Sequence, residues 1–169
     1  MNVLGIDPGF ALTGCAIIAE NKGKQTLLYS ECIETHKSQD FSSRLSQIYN
    51  SITKILHDYH PDIAVLENLF FNTNAKTALL VGQSRGVIQL ALYQNNIPIA
   101  EYTPLQIKMA LTGYGRAEKG QIQTMVKQIL KLPKVLSPDD VADAAAIAIT
   151  HCFSHKMQNN LNVLTRVVK

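Results

Sequence analysis

Four acidic residues stand where carboxylates could do chemistry: Asp7, Glu67, Asp140 and Asp143. Asp7 closes the apolar run Val-Leu-Gly-Ile, and Glu67 closes Ile-Ala-Val-Leu. Each has an ordinary alternative, Asp7 as the turn aspartate of Asp7-Pro8-Gly9 and Glu67 as a surface acid ending a strand. Two acids placed alike on two apolar strands weaken both alternatives. Asp143 is different, because the segment around it, residues 142–149, is apolar on nearly every side. A helix of that kind packs against a sheet, and a buried carboxylate there is costly unless paired or metal-bound. Asp140 precedes Asp143 by three residues and Asp139 precedes it by four. Helical periodicity puts either on the same face, so spacing does not choose between them.

Carboxylates gathered from two strand ends and a packed helix suit Mg²⁺, a hard cation that takes oxygen ligands and keeps several waters. A pair of such ions, about 3.5–4 Å apart, can activate an attacking water and stabilise the leaving oxygen of a phosphodiester. Without a cation the four acids would repel one another and any phosphate. Dependence on a divalent ion is therefore expected directly.

The elements that must position these acids read as an alternation. Residues 3–6, 13–19 and 26–35 are strand-like and joined by short connections, the second by Asn21-Lys22-Gly23, which predicts an antiparallel meander. Phe41, Leu45, Ile48, Ile52, Ile55, Leu56 and Tyr59 then recur at helical spacing. Residues 62–67 form a compact strand, parallel to a neighbour by a right-handed crossover. A helix is expected over residues 75–94, with Asn74 as its N-cap, then a short strand at 98–102 and helices near 104–111 and 118–131. Ser137 and Pro138 look like the N-cap and first residue of a last helix ending near residue 154, leaving 157–169 as a tail. The fold class is α/β, with one layered domain over residues 1–156. Sites in such sheets collect at the carboxyl ends of parallel strands, which is where Asp7 and Glu67 fall.

Composition sets the outer bounds. With 169 residues, 46% of them hydrophobic and 17% charged, the chain fits one globular domain. No apolar run is long enough for a membrane span, and the N-terminus lacks the pattern of a signal peptide. Cys15, Cys32 and Cys152 form no C-x-x-C pair and read as reduced thiols, which points to the cytoplasm. The net charge of +3 permits a polyanionic partner without demanding one.

The segments G-I-D-P-G-F-A-L-T-G (5–14), V-L-E-N-L-F-F (65–71), G-Q-S-R-G (82–86), A-E-K-G-Q-I-Q (117–123) and D-D-V-A-D-A-A-A-I-A-I-T-H (139–151) resemble the RuvC family of Holliday-junction resolvases. The resemblance runs in order from residue 2 to about residue 155. It implies a ribonuclease H-like fold, a five-stranded mixed sheet flanked by helices. It also implies a homodimer that nicks two opposing strands of a four-way DNA junction with Mg²⁺ or Mn²⁺, in association with a branch-migration helicase complex. The catalytic and metal-binding acids carry over onto Asp7, Glu67, Asp140 and Asp143. The family motif, an acid followed three residues later by Asp-Ala, selects Asp140 over Asp139. Substitution of Asp139 is then expected to do little.

By the same resemblance Phe70 stacks on a base near the junction centre, and Lys108 and Lys119 lie near the scissile strand. Lys76, Arg85 and Arg116 are further DNA-contact candidates, each weighed against the ordinary reading of a solvated surface cation. Gly82 and Gly86, four apart on a helix, read as close packing on the sheet, with a dimer interface as the alternative. His151 and His155 read as ordinary residues at a helix end. Two rival functions are weaker. An actin-like phosphotransferase would need a second phosphate hairpin and a second domain, and a non-catalytic junction-binding module would not need all four acids.

Overall fold

The structure, a computed structural model, describes residues 1–68 and 75–167, with side chains over 1–68 and 77–155. Five strands form one mixed sheet in the order β3-β2-β1-β4-β5. Strands β1 (Asn2–Asp7), β2 (Leu12–Asn21) and β3 (Lys24–Glu34) make the antiparallel meander. Helix α1 (Phe41–Tyr59) crosses over to β4 (Ile63–Glu67), which lies parallel to β1. Helix α2 (Ala75–Gln94) leads to β5 (Ile99–Tyr102), parallel to β4. Helices α3 (Pro104–Thr112), α4 (Lys119–Ile129) and α5 (Asp139–Val167) complete the chain.

Local chemistry sets most boundaries. Asp40 caps α1 by accepting from the Ser43 amide at 3.0 Å. Thr103 and Gln106 form a capping box at the start of α3, with Pro104 in its first turn, and Gly113 ends that helix in the left-handed region at φ 69°. Helix α4 opens where the Gln121 side chain accepts from the Glu118 amide at 2.8 Å. Among the described residues no helix is long and apolar enough to cross a membrane.

Alternation along the strands divides the core in two. On one face Leu4, Ile6, Ile17, Ala64 and Leu66 meet Ile48, Ile52 and Ile55 of α1 and Ile88 and Leu92 of α2. On the other face Val3, Ala16, Ile18 and Val65 meet the alanine-rich flank of α5, with α3 and α4 packed beyond it.

Three expectations change. Helix α5 starts at Asp139, after a cis Ser137–Pro138 bond, and the Pro138 carbonyl accepts from the Val141 amide at 3.1 Å. Pro138 thus precedes the first turn instead of opening it. The helix also continues past residue 154 to Val167, because residues 139–167 contain no glycine or proline to stop it. His151 and His155 accordingly sit within the helix, and His151 Nδ1 lies 3.1 Å from the Tyr102 hydroxyl. Finally, an added Cβ at Gly82 or Gly86 would meet nothing within 4 Å. These glycines face open space and do not pack on the sheet. The candidate cap Asn74 lies outside the described residues.

Candidate active site

Asp7 and Glu67 end the two adjacent parallel strands, so backbone pairing alone brings them to one edge of the sheet. Two contacts brace Glu67. The Arg85 guanidinium donates to its backbone carbonyl at 2.6 Å, and the next amide, Asn68, donates to the Tyr102 carbonyl at 2.7 Å. The turn after Asp7 is held by Arg44 of α1, which lies over the Phe10 ring at 3.8 Å and donates to Thr35 Oγ1 at 2.9 Å. Thr35 Oγ1 in turn donates to the Phe10 carbonyl.

The helix acids arrive by close approach of backbones. A Cβ on Gly5 would lie 2.0 Å from the Ala144 carbonyl oxygen, and one on Gly14 would lie 1.9 Å from that of Asp140. Only bare strand backbone at these two places lets α5 settle so low. Gly14 pairs directly with Asp7 across β1 and β2. The first turn of α5 therefore rests beside Asp7. Sequence reasoning missed both glycines, although a glycine inside a strand is itself a sign of close backbone approach.

The geometry separates the two first-turn acids. Asp140 is one of the charges that raise Asp7, whereas Asp139 turns away to α4. Its side chain is 65% exposed, receives a hydrogen bond from Gln123 Nε2 at 2.9 Å and lies 3.3 Å from Lys119 Nζ. Asp143, 32% exposed, lies 2.9 Å from the same ammonium. Asp143 is thus half-buried and paired, which meets the cost of a carboxylate on an otherwise apolar helix.

Asp7, Glu67 and Asp143 line one cavity of about 190 Å³ together with Lys108 and Lys119, over an apolar floor that includes Ile107, Ile122 and Ile147. Burial first, then the Asp143, Glu67 and Asp140 carboxylates, push Asp7 up to about 7, with Lys119 acting in the opposite direction. Glu67 is also raised, by burial and then by Asp143, against the lowering pull of Arg85 and Lys108. The site thus carries more negative charge than its own cations balance. Among the described residues no three His, Cys, Asp or Glu side chains already surround one point as metal ligands would. Asp143 faces Lys119 instead. The donor set nevertheless fits a hard divalent cation, since every acid offers oxygen only and the excess charge is of the sign a cation would relieve.

Of the expected DNA contacts, Lys108 and Lys119 border this cavity and Arg116 is exposed in the loop between α3 and α4. Arg85 is more enclosed. Its side chain is only 13% exposed, and its donors go to the Glu67 carbonyl and, at 2.5 Å, to Glu101 Oε1. It braces β4 and β5 through these contacts. Phe70 and the Lys76 side chain lie outside the described residues.

Over residues 3–151 the sequence matches the family described as Crossover junction endodeoxyribonuclease RuvC. The chain belongs to the RuvC family. The RuvC of Ruminiclostridium cellulolyticum is 51% identical over 157 residues, spanning 93% of this chain and 95% of that one. Among solved structures, Thermus thermophilus RuvC matches with a TM-score of 0.88 at 35% identity, covering 94% of this chain and 97% of the other. T. thermophilus RuvC in complex with Holliday junction substrate matches at 0.89 and 34% identity, covering 94% and 96%. The ribonuclease H-like, five-stranded mixed sheet implied by the sequence resemblance is the architecture observed.

Proposed function

We propose that this chain, as a crossover junction endodeoxyribonuclease, resolves Holliday junctions by hydrolysing one phosphodiester in each of two opposing strands. Asp7, Glu67, Asp140 and Asp143 would hold Mg²⁺, two ions in all, with Mn²⁺ able to substitute. One observation carries this reading: Asp7 and Glu67 end adjacent parallel strands and line one cavity with Asp143, so that partly buried carboxylates crowd together. That charge arrangement is costly for a structural site and useful for one that concentrates cations. Bound there, the ions would supply activation of the attacking water and stabilisation of the leaving oxygen.

The chain's own residues do the positioning. The strand ends fix Asp7 and Glu67, and the low seat of α5 fixes Asp140 and Asp143 beside them. Lys108 and Lys119, on the cavity wall, would pair with phosphate oxygens flanking the cut, which orients DNA without reading its sequence. Arg116 and Lys76 would hold backbone farther out, and Phe70 would stack on a base near the junction centre.

Cutting two opposing strands calls for two sites. Leu79, Leu90 and Tyr93 of α2 are 63%, 50% and 79% exposed, and the open sides of Gly82 and Gly86 share their helix at spacings of three and four. This stripe would pair with its copy in a homodimer. A branch-migration helicase complex as partner and a cytoplasmic setting follow from the family resemblance. The nuclease domain is taken as residues 1–156, with residues 157–169 as an extension that continues α5 to Val167.

Cleavage of a synthetic four-way junction with Mg²⁺ and with EDTA, alongside gel-shift binding, tests the reading. Nicking is expected with Mg²⁺ alone. Asp143→Asn should lose cleavage by more than the roughly 10–100-fold typical of removing an outer partner of a metal ligand, while junction binding persists. Binding with no metal-dependent nicking would leave only a junction-binding module.

A further inference from the structure

Asp139 stands outside the carboxylate cluster, yet its side chain is held on two sides. Oδ1 accepts from Gln123 Nε2 at 2.9 Å, and Oδ2 lies 3.3 Å from Lys119 Nζ. Lys119 and Gln123 are one turn apart on α4, so both grips come from a single helix face. The Lys119 ammonium also lies 2.9 Å from Asp143 Oδ2. One cation is therefore shared between an inner acid on the cavity wall and an outer acid at its rim. Lys119 is the first residue of α4, where the positive end of the helix disfavours a lysine. Its two carboxylate partners offset that.

We propose that Asp139 is a positioning residue for Lys119, retaining the ammonium at the rim of the site when a divalent cation takes Asp143. The proposal rests on the metal-dependent reading above. With no cation present, Lys119 supplies counter-charge to Asp143. A divalent ion entering among the carboxylates meets that ammonium beside one of them, and like charges at such spacing repel. Both aspartates are already within reach of Lys119 Nζ, so a small movement outward relieves the repulsion and keeps the lysine paired. Gln123 fixes the Asp139 carboxylate so that its second oxygen faces the lysine. Lys119 then remains at the mouth of the cavity, where a phosphodiester would approach. Without Asp139 the lysine and the metal compete for one carboxylate.

Mn²⁺ binding in the absence of DNA, read by calorimetry or by electron paramagnetic resonance of the free ion, tests this in four proteins. These are the wild type, Asp139→Asn, Lys119→Met and the double variant. Lys119→Met is expected to tighten Mn²⁺ binding, because Asp143 is released. Asp139→Asn is expected to weaken it by up to about fivefold, the scale of one exposed ion pair. In the double variant the Asp139 effect disappears and Mn²⁺ binds as it does to Lys119→Met. Gln123→Ala should shift binding in the same direction as Asp139→Asn, by less. If the Asp139→Asn effect persists undiminished beside Lys119→Met, Asp139 acts through its own charge on the ion and the proposal is overturned. No effect in either background overturns it as well. Failure of the metal reading has a separate signature, Mn²⁺ binding indifferent to Asp7→Asn. Asp139 and Lys119 are both more than half exposed, and melting temperatures verify that the variants fold.

Discussion

The two faces of the sheet are built by different means. Under α1 and α2, the core is filled by large branched side chains such as Ile6, Ile17, Ile48, Ile52 and Leu66. Under α5 large side chains such as Val3, Ile18, Val65 and Ile147 are interspersed with alanines, and at Gly5 and Gly14 the helix rests on bare strand backbone, with contacts too short for any Cβ. A core of interlocking side chains absorbs changes of volume by repacking. A helix seated backbone-on-backbone has no such slack, and this is the helix that carries Asp140 and Asp143. Precision in the site is thus obtained where side chains are absent, at Gly5 and Gly14.

Gly14→Ala should break this contrast most severely. The new methyl would stand against the Asp140 carbonyl, so the first turn of α5 must lift. A loss of about 1–3 kcal/mol from overpacking is expected, with junction cleavage per folded molecule reduced at least about tenfold because the acids no longer meet within ~0.5 Å of productive geometry. Chemical denaturation and single-turnover cleavage read the two effects separately. Cleavage at the wild-type rate would mean that the seat of α5 does not set the site.

A second variant sharpens the electrostatic side. Asp7 is raised in the folded chain to about 7, above its unfolded value, so without metal its favourable contribution is complete below the unfolded pKa and fades as pH rises to about 7. Asp7→Asn removes that penalty. The metal-free melting temperature should rise by roughly 3 °C or more near pH 8, with little change near pH 4. For the same reason wild-type Mn²⁺ affinity should climb as pH rises through about 7, where Asp7 gives up its proton. An equal change in melting temperature at both pH values would contradict the charge crowding at Asp7.

The smallest effect belongs to the opposite face. Ile52, on the inner side of α1, is fully buried, and Ile52→Val should cost about 0.5–1.5 kcal/mol while leaving junction cleavage and metal affinity unchanged. A matching fall in cleavage would erase the distinction between the faces.

Much of this arrangement is legible in the sequence, for reasons that differ from residue to residue. Asp7 and Glu67 stand out because alternation and turn chemistry mark strand ends locally, and the parallel pairing of β1 and β4 then makes them neighbours. Asp143 stands out because its helix is otherwise apolar. The choice between Asp139 and Asp140 was beyond spacing, since it depends on Gly14 beneath one and Gln123 beside the other, both distant in sequence. The contacts of Asp139 with Gln123 and Lys119 are hidden from spacing for the same reason. Arg85 looked like a surface cation because nothing near it in sequence reveals that the Glu67 carbonyl and Glu101 lie within its reach. The length of α5 was underestimated where polar residues follow the apolar stripe, since helices end at stop signals and not where burial ends.

The central claim is that the acids of β1, β4 and the inner face of α5 act together on a divalent ion. Crystals soaked in Mn²⁺, with the ion located by its anomalous scattering, test it most directly. The account predicts Mn²⁺ in contact with Asp7 and with carboxylate oxygens from Glu67, Asp140 and Asp143, and with Lys119 turned toward Asp139. Mn²⁺ held by Asp139 in place of Asp140, or bound away from Asp7, would contradict it.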